Sequence, residues 1–109
     1  MTINDYQQEA LRTAVYRPEL DMLEEALIGL SCEAAECLEV YNKHKFRQHT
    51  LNKEDLAYEL GDVAWYIAFT AWVIGYNLEQ ILEMNVDKRE QRYPAGKEPW
   101  RALKKEGKL

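Results

Sequence analysis

Apolar positions along the chain recur at intervals of three and four, not two, which predicts helices throughout and no sheet. Four helices follow from the pattern. The first covers about Ile3 to Tyr16, opened by Thr2 and Asp5 in capping-box spacing and stopped near Pro18. The second covers Glu19 to Lys45, where Leu20, Leu23, Leu27, Leu30, Ala34, Cys37 and Tyr41 form the main apolar seam. The polar string KFRQHTLN makes a loop, and Asn52 with Asp55 opens a third helix that runs to about Ile74 and ends at Gly75. Asn77 with Gln80 opens a fourth, which ends near Arg92, before Pro94. The remainder, PAGKEPWRALKKEGKL, reads as an irregular basic tail anchored by Trp100.

The third helix contains VAWYIAFTAWVI, residues 63–74, with no charge. A helix apolar all round must be covered all round, and three neighbours in a 109-residue chain leave part of it bare. The run is too short to cross a bilayer, which takes about 18 apolar residues or more. Trp65, Phe69 and Trp72 share one side and are expected at a subunit interface. The expected fold class is therefore all-α, a four-helix bundle completed by homo-oligomerisation; the alternative is a monomer folded tightly around the third helix.

With 47% hydrophobic and 30% charged residues the chain has a globular balance, and its length suits one domain. Fourteen Lys and Arg against nineteen Asp and Glu give a net charge of −5, which opposes binding to a nucleic acid polymer or an anionic membrane. The opening MTINDYQQEA lacks the basic and apolar regions of a secretion signal, so a cytoplasmic location is expected. Cys32 and Cys37 lie too far around one helix to pair with each other and are expected to be reduced and buried.

The candidate chemistry lies in four acids. Glu33 and Glu36 in EAAE, and Glu59 and Asp62 in ELGD, are spaced i, i+3, so each pair points one way from its helix. An ordinary surface acid has Lys or Arg three or four positions away, as Glu39 has Lys43; these four have none. Glu33 and Glu36 continue a strip of Met22, Ala26, Gly29 and Val40 beside the leucine seam, and Glu59 and Asp62 align with Tyr66, Phe69 and Val73. Four carboxylates on half-apolar strips repel one another and lose hydration, so a positive partner is expected. Oxygen ligands alone suit Mg²⁺, with Mn²⁺ as a substitute, better than Zn²⁺. A di-iron bundle would want Glu-x-x-His, and neither His44 nor His49 sits so. Gly29, Ala34, Ala35 and Gly61 leave room beside the acids for a bulky ligand or for close helix packing.

On the fourth helix the face of Leu78, Ile81 and Leu82 continues as Asn85, Lys88 and Arg92. Metal-ready acids together with amide and basic side chains are what a polyphosphate requires, and no Walker motif offers a backbone alternative.

These residues resemble the MazG-like all-α nucleoside triphosphate pyrophosphohydrolases. The resemblance rests on E-x-x-E followed by E-x-x-D, on LGDVAWY over the second pair, on NVDK with Asn85 and Lys88, and on the closing RYPAG. NDYQQEALRTA resembles the opening helix of small members, so a domain over 1–96 and a tail over 97–109 are expected. The chain departs from the family in EAAE, where many members carry Gly before the second Glu, and in Lys97, where some carry an aromatic. Related dCTP and dUTP pyrophosphatases and phosphoribosyl-ATP pyrophosphohydrolases share the bundle; ELGD and RYP favour the MazG-like branch.

The resemblance implies hydrolysis of a (deoxy)nucleoside triphosphate to monophosphate and pyrophosphate, for nucleotide-pool cleansing or control, in a homodimer or homotetramer. Mg²⁺ would be held by Glu33, Glu36, Glu59 and Asp62, with Glu36 and Glu59 the candidates for positioning or deprotonating water. Asn85, Lys88, Arg92 and, from the loop, Lys45 or Arg47 are the candidate phosphate ligands. Tyr6, Tyr58, Trp65 and Tyr66 are candidates to stack a base. The alternative function is a noncatalytic helical module that senses nucleotides or binds a partner protein.

Overall fold

The computed structural model describes residues 1–108, and every regular element among them is an α-helix: α1 (Ile3–Leu11), α2 (Glu19–Arg47), α3 (Lys53–Val73), α4 (Leu78–Arg92) and α5 (Pro99–Lys105). Backbone contacts divide the chain into two units, one from Met1 to Leu78 and one from Glu79 onward.

Local chemistry sets the ends of the helices. Thr2 accepts from the Asp5 amide while the Asp5 carboxylate accepts from the Thr2 amide, both at 3.0 Å, closing the capping box of α1. Asn52 caps α3 by accepting from the Asp55 amide at 3.0 Å. Helix α1 stops at Leu11, well short of Tyr16. The carbonyl of Ala10 accepts from the Thr13 amide at 3.3 Å in a tighter i, i+3 turn, and also from the Trp65 indole at 3.0 Å and the Thr13 hydroxyl at 3.1 Å. At its far end α2 closes on Gln48, in the left-handed region at φ 56°.

In the first unit α3 packs against both α1 and α2. Met22, Ala26, Phe69 and Val73 form one buried cluster, with Leu11, Leu23, Trp65 and Trp72 packed against it. Ala10, Ala68 and Leu78 form a second, which Tyr6 and Trp65 flank. Burying a side chain the size of Phe69 contributes about 2 kcal/mol. Gln7, 2% exposed, ties α1 to the end of α3: its amide donates to the carbonyls of Ala68 at 3.1 Å and Tyr76 at 3.2 Å, and its oxygen accepts from the Leu78 amide at 3.0 Å.

Trp65, Phe69 and Trp72 stack in series, with centroids 5.3 and 6.3 Å apart; Phe69 is buried, and Trp65 and Trp72 are half-buried. Two expectations change. The leucine seam of α2 is not its buried face. Leu20 and Leu27 are exposed, and the face turned inward is the Met22–Ala26 strip that also carries the acids. Cys32 is exposed and Cys37 half-buried, both as free thiols.

The second unit holds most of α4, and it holds α5 where an irregular tail was expected. Pro99 opens α5 at a position where a missing amide costs nothing. The Glu98 carboxylate accepts from the Gly96 amide at 2.9 Å and from Arg101 Nε at 2.7 Å. The Arg101 guanidinium in turn lies 4.5 Å from the centre of the Trp100 ring.

Candidate metal and nucleotide site

Gly29 of α2 is in close contact with the Tyr66 side chain of α3. A Cβ there would run into Cε1 and Cζ of Tyr66, so the tyrosine ring lies directly on the glycine backbone. One turn further along α2 comes Glu33; one turn back along α3 from Tyr66 comes Asp62, and Glu59 precedes it. The two acid strips therefore face each other across a helix pair drawn together by a missing side chain.

Carboxylate oxygens of Glu33, Glu59 and Asp62 lie within 4.8 Å of one another, spacing that suits ligands of one cation. Glu33 and Glu59 are half-buried and Asp62 is exposed. Glu36, grouped with them on sequence, is exposed and lies outside this set. Loss of hydration pushes the Glu33 carboxyl above its ordinary value, and the charges of Asp62, Glu59 and Glu36, in falling order, push it the same way. Among the described residues no ion pair neutralises any of the three. The donor set is oxygen only and is short of positive charge, which fits a hard divalent cation.

Tyr6 belongs to this neighbourhood through its hydroxyl: burial first, and then the charge of Asp62, raise it above the usual tyrosine range. Of the four aromatic candidates, Tyr58 is exposed, Trp65 is committed to the core, and Tyr66 lines a cleft. That cleft, about 470 Å³, opens one turn from the acids between Arg17, the first half of α2 and the Tyr66 ring. On the other side of the acids, past Val40 and Asp55, a smaller cleft of about 160 Å³ is lined by Lys43, His49, Thr50 and Asn52. The sequence pattern did not mark Arg17 or Thr50, and it marked Lys43 only as a surface neighbour of Glu39 and His49 only as no iron ligand; the signal available was their distance along the acid strips, one turn or one loop away.

Lys45 is exposed, and its ammonium lies 5.6 Å from the centre of the Phe46 ring, in neither cleft. Asn85, Lys88 and Arg92 lie on α4 in the second unit, all exposed. Asn85 Oδ1 accepts from Arg89 Nε at 3.0 Å, and the Arg92 guanidinium sits 5.9 Å from the Tyr93 ring centre. No described helix is long and apolar enough to cross a membrane.

No curated protein and no solved structure matches the chain. The model of one family does, the MazG nucleotide pyrophosphohydrolase domain, over residues 22–96. That span takes in all of α2 but its first three residues, α3, α4 and all four acids of the two motifs, more than half of the chain. The chain belongs to the MazG nucleotide pyrophosphohydrolase family.

Proposed function

We propose that the protein hydrolyses a (deoxy)nucleoside triphosphate between its α and β phosphates, giving the monophosphate and pyrophosphate, and that it needs Mg²⁺ or Mn²⁺ to do so. The observation that carries this reading is the meeting of Glu33, Glu59 and Asp62 from two helices, with no ion pair to any of the three among the described residues.

Glu33, Glu59 and Asp62 would hold the metal. A hard divalent ion there supplies charge neutralisation at phosphoryl oxygens and acidifies water. Glu36, one turn from Glu33 and exposed, is free to act on the attacking water, with Glu59 the second candidate for that duty. The water proton passes to the carboxylate, the new P–O bond forms at one phosphorus, and the bond to the leaving phosphate oxygen breaks. Asn85, by hydrogen bonding, and Lys88, Arg92 and Lys45, by charge, are the proposed ligands of the phosphate chain.

A second copy of the chain is the proposed cover for the exposed apolar residues of α2 and α3, Leu20, Leu27, Leu60 and Ile67, in a homodimer or homotetramer. The proposed place of action is the cytoplasm, on nucleotide pools.

Phosphorus NMR of a nucleotide panel with Mg²⁺ or Mn²⁺ tests the reading. Pyrophosphate and monophosphate should appear with the wild type and not with Glu36→Gln. Orthophosphate with diphosphate, or binding without turnover in calorimetry, would replace the hydrolase with a different enzyme or with a nucleotide sensor.

A further inference from the structure

We propose that the cleft beside the acids takes the nucleobase, and that its rim selects bases carrying an exocyclic amine, cytosine, adenine or guanine, over uracil and thymine. The proposal rests on the hydrolase reading for the direction of the substrate, with its phosphates at the acids.

Tyr66, Gly29 and Ile28 give the cleft an apolar side. Tyr66 lies against Gly29, and Ile28 adds an aliphatic wall. The ring is fixed from the side by Trp65, whose plane stands at 81° to it with centroids 4.9 Å apart. A planar aromatic surface held in place on a helix backbone suits stacking, which accepts any base. Gly29 stands one turn from Glu33 and Tyr66 one turn from Asp62, roughly 6 Å in each case, about the reach from a base across its sugar to the first phosphate.

Selection comes from the rim. Asp21, Glu24 and Glu25 border the cleft, and ionised carboxylates only accept hydrogen bonds. The one cation bordering it, Arg17, is turned to Glu25 at 3.6 Å. Among the described residues, Asp21 and Glu24 make no ion pair. A base edge with an amine offers these carboxylates a donor, whereas uracil and thymine present two carbonyl oxygens around a single N–H. The rim thus attracts the first group and repels the second.

The test uses the full chain with Mg²⁺ and five deoxynucleoside triphosphates, reading pyrophosphate release together with quenching of tryptophan emission, since Trp65 touches Tyr66. The amino-bearing substrates should exceed dUTP and dTTP about tenfold in kcat/KM, and the double variant Asp21→Asn with Glu24→Gln should erase most of that ratio. Tyr66→Leu should raise KM for every nucleotide and remove the quench; circular dichroism confirms that each variant is folded. Equal or better turnover of dUTP and dTTP, or a ratio unmoved by the double rim variant, overturns the subsite and leaves the hydrolase standing. Quenching by the amino-bearing nucleotides without pyrophosphate release supports the cleft and overturns the hydrolase. Neither quenching nor release overturns both.

Discussion

Tyr66 rests on Gly29 so closely that the two helices carrying the acids touch through ring and backbone, with nothing between. Glu33 and Asp62 each lie one turn along their helix from that contact. Gly29→Ala forces either the ring or α2 to move. It should cost on the order of 2 kcal/mol, seen as a lower melting temperature. It should also weaken Mn²⁺ binding, because the carboxylates separate. An alanine variant as stable as the wild type would show that the contact is slack.

Glu33 supplies the pH dependence. Its carboxyl is raised in the folded protein, by lost hydration first and by Asp62 next, so the fold binds that proton more tightly than the unfolded chain does. The stabilisation this gives is complete below the ordinary glutamate range and is lost as pH rises through the raised value. Without metal, Glu33→Gln should therefore match the wild type in acid and melt above it near neutral pH. Mg²⁺ should raise the wild-type melting temperature at neutral pH and leave the variant nearly unmoved. Thermal melts at several pH values, with and without Mg²⁺, check both statements.

Gln7 is the polar clamp of the first unit, with three hydrogen bonds and 2% exposure. Gln7→Leu keeps the bulk and strands the Leu78 amide, so a loss on the order of 3 kcal/mol is expected in denaturant unfolding. A loss below about 0.5 kcal/mol would mean that water replaces the side chain.

The exposed leucines of α2 predict association. Leu27→Glu, on a residue 49% exposed, should lower the mass in solution from oligomer to monomer without unfolding the chain. Trp65→Phe should leave the mass unchanged, because its indole serves Ala10 and Thr13 inside the chain. Light scattering reads both, and a wild type that is already monomeric contradicts the proposed interface.

The helices and the acid pairs were legible because they rest on local spacing: the caps at Thr2 and Asn52, and the i, i+3 carboxylates with no neighbouring base. The buried face of α2 was not. Hydrophobicity favours its leucines, yet packing follows Met22, Ala26 and Gly29, whose inward side is set by where the Tyr66 ring can lie. The early end of α1 is likewise set from a distance, by Trp65 donating to a carbonyl 55 positions earlier. Phe69 is buried within the chain, whereas Trp65 and Trp72 keep part of their surface exposed beside α1 and Tyr16. Helix α5 did carry a local signal, Pro99 directly after Glu98, which the density of basic residues obscured.

Calorimetric titration of the nucleotide-free protein with Mn²⁺ puts the central claim, a divalent cation seated between α2 and α3, to its most direct test. The wild type should bind, and Asp62→Asn and Glu33→Gln should each weaken binding on the order of tenfold or more. Heats that are absent, or that are the same in all three proteins, would contradict it.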